Sequence, residues 1–248
     1  MLSFLFIASY AETITGDCGE NVKYSFDRDN CKLTISGSGP MADYSFPPPP
    51  WTEYSDSIES AVIDEGVTTI GAFAFSHCNH LNSITIPESA KSIGHSVFDI
   101  CTSLTSINVS PNNKAFKLNE GVLFNYNKNE LLCYPAGKWM NRYFIPFGVE
   151  IIGDFAFSSC KYLSSITIPT SVTEIGSFAF EYCEGLSSII IPQSINTLSY
   201  YAFRDCSNLL SVTHLGATDF KNNDILFLWI DINQYSRKCH LYWLWCIW

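Results

Sequence analysis

The chain has 248 residues, enough for one sizeable core or two small ones. Its 24 acidic and 14 basic residues give a formal net charge of −10, which argues against DNA or RNA as a partner, because nucleic-acid binders concentrate Lys and Arg to displace counterions from phosphates. Hydrophobic residues make up 47% and charged residues only 15%, so the chain is not intrinsically disordered and must cover its surface with Ser, Thr and Asn, while ten cysteines hint at an oxidising compartment.

From the start of the chain, Leu2–Ala8 form a short apolar run followed by Ser9-Tyr10-Ala11, with small residues at the −3 and −1 positions of a candidate cleavage site. Residues 1–11 read as a cleaved secretory signal or as a trimmed first strand, since no basic residue precedes the run and its length is small for a leader. Residues 12–50 read as an N-terminal β cap and a proline-rich connector. In the cap, strands Val22–Phe26 and Lys32–Ser36 flank a turn at Asp27–Asn30, and Pro47–Pro50 stiffen the link to Trp51. Cys18 and Cys31 flank these strands and form a candidate disulfide.

Residues 51–215 repeat. Segments beginning at Ile63, Ile86, Ile145, Ile168 and Ile191 align with a period of 23 residues (86 − 63, 168 − 145 and 191 − 168). Cys78, Cys101, Cys160, Cys183 and Cys206 keep step, as do Phe75, Phe98, Phe157, Phe180 and Phe203. This period is too short for a helical hairpin repeat and fits one coil of a leucine-rich-repeat-like solenoid. Within a coil, Ser165-Ile166-Thr167-Ile168 alternates polar and apolar, the pattern of a strand with one buried face, and Pro169 ends it. Val172–Ile175 read as a second short extended piece, and SFAFEYC (177–183) as a short helical turn. One coil cannot bury its own Ile, Phe and Leu, so Ile84, Ile107, Ile166 and Ile189 are expected to share one continuous seam. The expected fold is a β-rich α/β solenoid: a curved array of about 23-residue coils with short helical turns. Between Val109 and Ile145 the step is 36 residues, 13 more than one period, and segment 110–144 reads as a β-hairpin insert with strands Gly121–Tyr126 and Glu130–Tyr134.

The motif IPTSVTEIGSFAFEYCEGLSSI (168–189), with the opening CGENVKYSFDRDNCKLTISGSG and the segment through YPAGK (134–138), resembles the BspA-like leucine-rich repeat family of surface and secreted proteins, whose repeats take the form IPxSVTxIGxxAFxxCxxLxSIx. The resemblance spans roughly residues 16–215 and implies a curved solenoid, no catalytic activity, and adhesion to host proteins or cells. After Leu215 the chain departs from the pattern: residues 216–248 hold four of its six tryptophans and read as an atypical cap, an interface segment or an unshaped tail. The apolar stretches Ile225–Ile230 and Cys239–Trp248 are split by Asp231, Arg237 and Lys238, and neither approaches the ~18–20 residues of a membrane span.

Chemistry is sparse. The repeat cysteines read as a column of buried free thiols filling the core, with no CxxC pair for zinc. His77-Cys78-Asn79-His80 reads as a solvated loop around a core cysteine. No nucleophile elbow, Ser/His/Asp set or phosphate loop occurs, so neither catalysis nor a cofactor is expected. Asn108-Val109-Ser110 is a lone glycosylation sequon. The strand positions opposite the buried isoleucines are mostly small and polar: Ser83, Thr85, Ser106, Asn108, Ser165, Thr167, Ser188, Ile190, Ser211 and Thr213. They form the candidate binding face of a secreted or cell-surface protein that contacts a protein partner, such as a host surface or matrix protein. The competing expectation is a structural spacer or a self-associating coat component without a specific ligand, in which Ser and Thr serve solubility alone.

Overall fold

A computed structural model describes residues 13–45 and 48–215; the candidate leader and the C-terminal tail (216–248) lie outside them. The chain opens with an antiparallel meander of β1 (Thr13–Gly19), β2 (Val22–Asp27) and β3 (Lys32–Gly37). The sequence reading misses β1, because only Cys18 of its seven residues is buried and the strand carries little apolar alternation. Gly16 faces Tyr24 across the ladder, and a Cβ there would come within 2.6 Å of the ring and displace it.

The candidate Cys18–Cys31 disulfide is not formed in the structure, where both are free thiols. Cys18 lies at the β1–β2 turn and Cys31 at the β2–β3 turn, so the length of β2, roughly 15 Å at ~3.3 Å per residue, separates them. A disulfide tolerates at most ~7 Å between Cα atoms.

The cap is also the first rung of the array. β3 is followed by β4 (Gly39–Pro40), and a short 3-10 helix at Thr52–Ser57 leads into β5 (Ser60–Ile63), which pairs parallel with β3 from Lys32↔Ser60 to Ile35↔Ile63. Each regular coil then supplies two strands. β5, β7 (Ser83–Ile86) and β9 (Ser106–Val109) extend the first ladder, while β6 (Val67–Ile70) and β8 (Ser92–Ile93) form a second one with β4. The strands are short because a buried apolar pair suffices for each: Ile84 and Ile86 point inward, Ser83 and Thr85 outward.

The third side of each coil is not the expected helical turn. Backbone bonds such as Ser76 N–H to Phe73 O (3.1 Å) and Cys78 N–H to Phe75 O (3.1 Å) make a chain of β-turns. Two non-glycine residues per coil take left-handed φ, four positions apart: Phe73 and His77, Ser96 and Ile100, Phe155 and Ser159, Phe178 and Tyr182, Tyr201 and Asp205. Left-handed residues cannot propagate an α-helix and cost about 1–2 kcal/mol each. The turn instead aims alternate N–H groups at the next coil, as in Phe155 to Ser177 O (3.0 Å), Phe157 to Ala179 O (2.7 Å) and Ser159 to Glu181 O (2.7 Å). A third inter-coil ladder offsets the strain. The repeat cysteines staple the same side: the Cys101, Cys183 and Cys206 thiols donate to Phe75 O (3.0 Å), Phe157 O (3.1 Å) and Phe180 O (2.9 Å) of the preceding coils.

The irregular coil holds more than a hairpin. β10 (Phe116–Asn119), β11 (Val122–Asn125) and β12 (Glu130–Cys133) form a three-stranded antiparallel meander, and β12 then pairs parallel with β14 (Ile151–Ile152). Buried Asn113 anchors its entry: its amide donates to Pro87 O (2.7 Å) and Ala90 O (2.9 Å) and accepts from the N–H groups of Ala115 and Phe116 (both 2.8 Å). β13 (Arg142–Phe144), preceding β14, restarts the first ladder with β15 (Ser165–Thr167); β16 (Glu174–Ile175) and β18 (Thr197–Leu198) continue the second, and β17 (Ser188–Ile191) pairs with β19 (Ser211–His214).

The meander divides the interior, so the expected single seam is corrected. Ile84 and Ile107 belong to one hydrophobic core, Ile166 and Ile189 to another. In β11, Val122 and Phe124 enter the C-terminal core and Leu123 the N-terminal one, so the strand is a wall buried on both faces. Each core has its own aromatic column: Trp51, Phe75 and Phe98 in the first, and Tyr134, Phe157, Phe180 and Phe203 in the second, where ring centroids lie 5.3, 5.0 and 5.1 Å apart. Polar contacts cross the junction. Buried Ser158 donates to Asp99 (2.7 Å), and Gly137 N–H donates to Leu104 O (2.8 Å).

Candidate functional site

The outward side chains of the first ladder stand in register wherever its strands pair. In the N-terminal half, Ser83 aligns with Ser106 and Thr85 with Asn108; in the C-terminal half, Ser188 aligns with Ser211 and Ile190 with Thr213. Ser165 and Thr167 of β15 are exposed, as are the outward residues of β17 and β19, whereas Ser83, Thr85 and Ser106 are half-buried. The ten candidate residues therefore occupy the two outward positions of five strands, and the ladder that carries them breaks between β9 and β13 and again between β15 and β17.

The structure adds two residues to this face. Arg142 pairs in register with Ser165 and Phe144 with Thr167, and both point outward from β13. The irregular coil hides them from a repeat search, yet subtracting one 23-residue period from Ser165 and Thr167 lands on them. Trp139 lies three residues ahead of β13 and Phe147 three residues beyond it, and these side chains are 84% exposed. Tyr162, one period after Trp139, is 44% exposed, with the Lys161 ammonium 5.1 Å from its ring centroid.

Cys78 is buried, while His77 and His80 beside it are exposed, and no group of three or more His, Cys, Asp or Glu among the described residues is placed to hold a metal. Burial pushes the Cys78 and Cys133 thiols up to about 12, and Cys101 and Cys183 well above the usual thiol range, so these sulfurs are not nucleophiles at neutral pH. A cleft of about 190 Å³ opens at the junction of the halves, lined by residues 93–99 and by Glu130, Leu132, Cys133 and 153–155. Burial, with Glu174 and Asp154 nearby, raises the Glu130 carboxyl. Beyond it, Glu181 is buried 3.5 Å from Arg204, and burial with Asp99 close by raises its carboxyl to about 7. Among the described residues, no helix is long and apolar enough to cross a membrane.

Parallel strands at a 23-residue step, stacked through three ladders, define a leucine-rich-repeat-type β-solenoid with little helix. A family model described as the BspA type leucine rich repeat region matches residues 52–135 and 136–226 in six copies, and the chain belongs to that family. No curated protein matches the sequence. Among solved structures, a leucine-rich repeat protein from Eubacterium ventriosum is 24% identical, with a TM-score of 0.51 over 83% of this chain and 73% of that one. The pneumococcal vaccine antigen PcpA is 19% identical over 86% and 83% of the two chains with a TM-score of 0.49, and a leucine rich cell surface protein from Faecalibacterium prausnitzii is 17% identical over 91% and 99% with a TM-score of 0.43.

Proposed function

We propose that the chain is a non-catalytic, secreted or cell-surface protein that binds a protein partner through the outward face of its first ladder, serving adhesion to host cells or matrix. The carrying observation is the set of exposed outward side chains on β13, β15, β17 and β19, which stand in register within the β13–β15 and β17–β19 pairs. Stacked coils present such residues at ~4.8 Å intervals on a rigid frame, which keeps the ordering cost of binding low. Family membership supports this reading. Replacing Ser165, Thr167, Ser188 and Thr213 together with bulky charged residues tests it: binding of the purified chain to host cells or matrix-coated wells is expected to drop, and unchanged binding rejects the face as the contact. Unchanged binding with concentration-dependent self-association, read by sedimentation, points instead to a coat component.

A further inference from the structure

Resting on that reading, we infer that binding is centred on the irregular coil, where Trp139, Arg142, Phe144 and Phe147, with Lys161 and Tyr162 of the next coil, receive a polypeptide segment that carries carboxylates beside apolar side chains.

The first support is a contrast between coils. Regular coils of the C-terminal half place Ser165 and Thr167, Ser188 and Ile190, or Ser211 and Thr213 at the outward strand positions, none of them aromatic or charged. β13 places Arg142 and Phe144 at the same positions, with Phe144 69% exposed. Together with Trp139 and Phe147 this leaves three large, exposed aromatic side chains within nine residues of sequence, more exposed aromatic surface than solubility favours on one coil. The inward residues of the coil, Tyr143 and Ile145, are buried as usual, so the exposed ones are not displaced core. Their types, Trp, Tyr, Phe and Arg, are those that dominate binding energy at protein interfaces, and Ser and Thr are not.

Charge selects the partner. The chain carries a formal −10, yet Arg142 is the sole charge among the eight outward positions of β13, β15, β17 and β19. Neither Arg142 nor Lys161 forms an ion pair among the described residues; Glu184, one period beyond Lys161, makes none with it. Lys138 is already used, its ammonium donating to Glu120 O. Arg142, without an ion pair, and Lys161, held over the Tyr162 ring, sit on a coil and its neighbour that expose four aromatic side chains, a combination that matches a carboxylate flanked by apolar groups, whereas a polyanionic glycan calls for a denser run of cations.

Panning the purified full chain against a random 12-residue peptide library tests this. Enrichment of peptides with Asp or Glu next to aromatic or aliphatic residues is expected. The double variant Arg142→Ser/Phe144→Thr carries the residues that the next coil uses at these positions, so its thermal unfolding should match the parent while affinity for selected peptides falls about tenfold or more. Arg142→Glu/Lys161→Glu should shift selection toward Lys- and Arg-bearing peptides. No enrichment, enrichment without acidic preference, heparin binding in place of peptides, or undiminished binding by both doubles overturns the inference. If the variant at Ser165, Thr167, Ser188 and Thr213 loses peptide binding while Arg142→Ser/Phe144→Thr keeps it, the wider face is the site and this centre is wrong; if neither loses it, both readings fall.

Discussion

Because β11 walls off two cores, adjacent residues of one strand are predicted to stabilise different halves of the molecule. Leu123→Ala removes a fully buried side chain from the N-terminal core, and Phe124→Ala one from the C-terminal core. Truncations of this kind cost about 2–5 kcal/mol for Leu and 3–5 kcal/mol for Phe. At a tenfold change per ~1.4 kcal/mol, 3 kcal/mol raises the opening equilibrium of the affected half roughly 100-fold. Native-state hydrogen exchange read by mass spectrometry separates the two. Leu123→Ala should accelerate exchange in β5, β7 and β9 while β16 and β18 hold their protection, and Phe124→Ala should do the reverse. If each variant loosens both halves to the same degree, the interior is one cooperative unit and the wall is not an energetic boundary.

Other outcomes follow from the buried polar groups. The Glu181 carboxyl, raised from the usual 4.5 to about 7 by burial and by Asp99 against the pull of Arg204, favours the fold only while protonated. Its contribution, about 2–3 kcal/mol, is complete below pH 4.5 and lost as pH rises through about 7, so Glu181→Gln should flatten the rise in urea midpoint between pH 8 and pH 5; an unaltered profile refutes this. Asn113→Ala strips two acceptors of their donor and two backbone donors of their acceptor, and should cost at least about 2 kcal/mol in a denaturant titration. Among the described cysteines, half-buried Cys31 should alkylate first under native conditions and the buried repeat cysteines only on unfolding; mass mapping of a disulfide between Cys18 and Cys31 would contradict the strand arrangement.

The repeat array was legible because inward Ile, Phe, Leu and Cys recur at one period, and a recurring buried position is a statement about packing that needs no coordinates. Ten outward strand positions followed from the same alternation. Arg142 and Phe144 did not, since the meander shifts them out of phase with the coils before it and only the coils after it reveal their register. Strand β1 was missed because it buries a single side chain. The helical turn was misread because AFxxC spacing suits a helix, and nothing in the residue types announces that Phe155, Ser159, Phe178 and Tyr182 adopt left-handed backbone.

The amino-acid sequence alone settled the coil length, the inward residues and the stacked architecture, since period and alternation are local properties that every coil must satisfy. Only the tertiary structure decided where the interior divides, which cysteines lie apart, and that Arg142 and Phe144 stand in register with Ser165 and Thr167. Those depend on which strands become neighbours across 20 or more residues, a choice made by backbone pairing and packing between coils rather than by any one coil's composition.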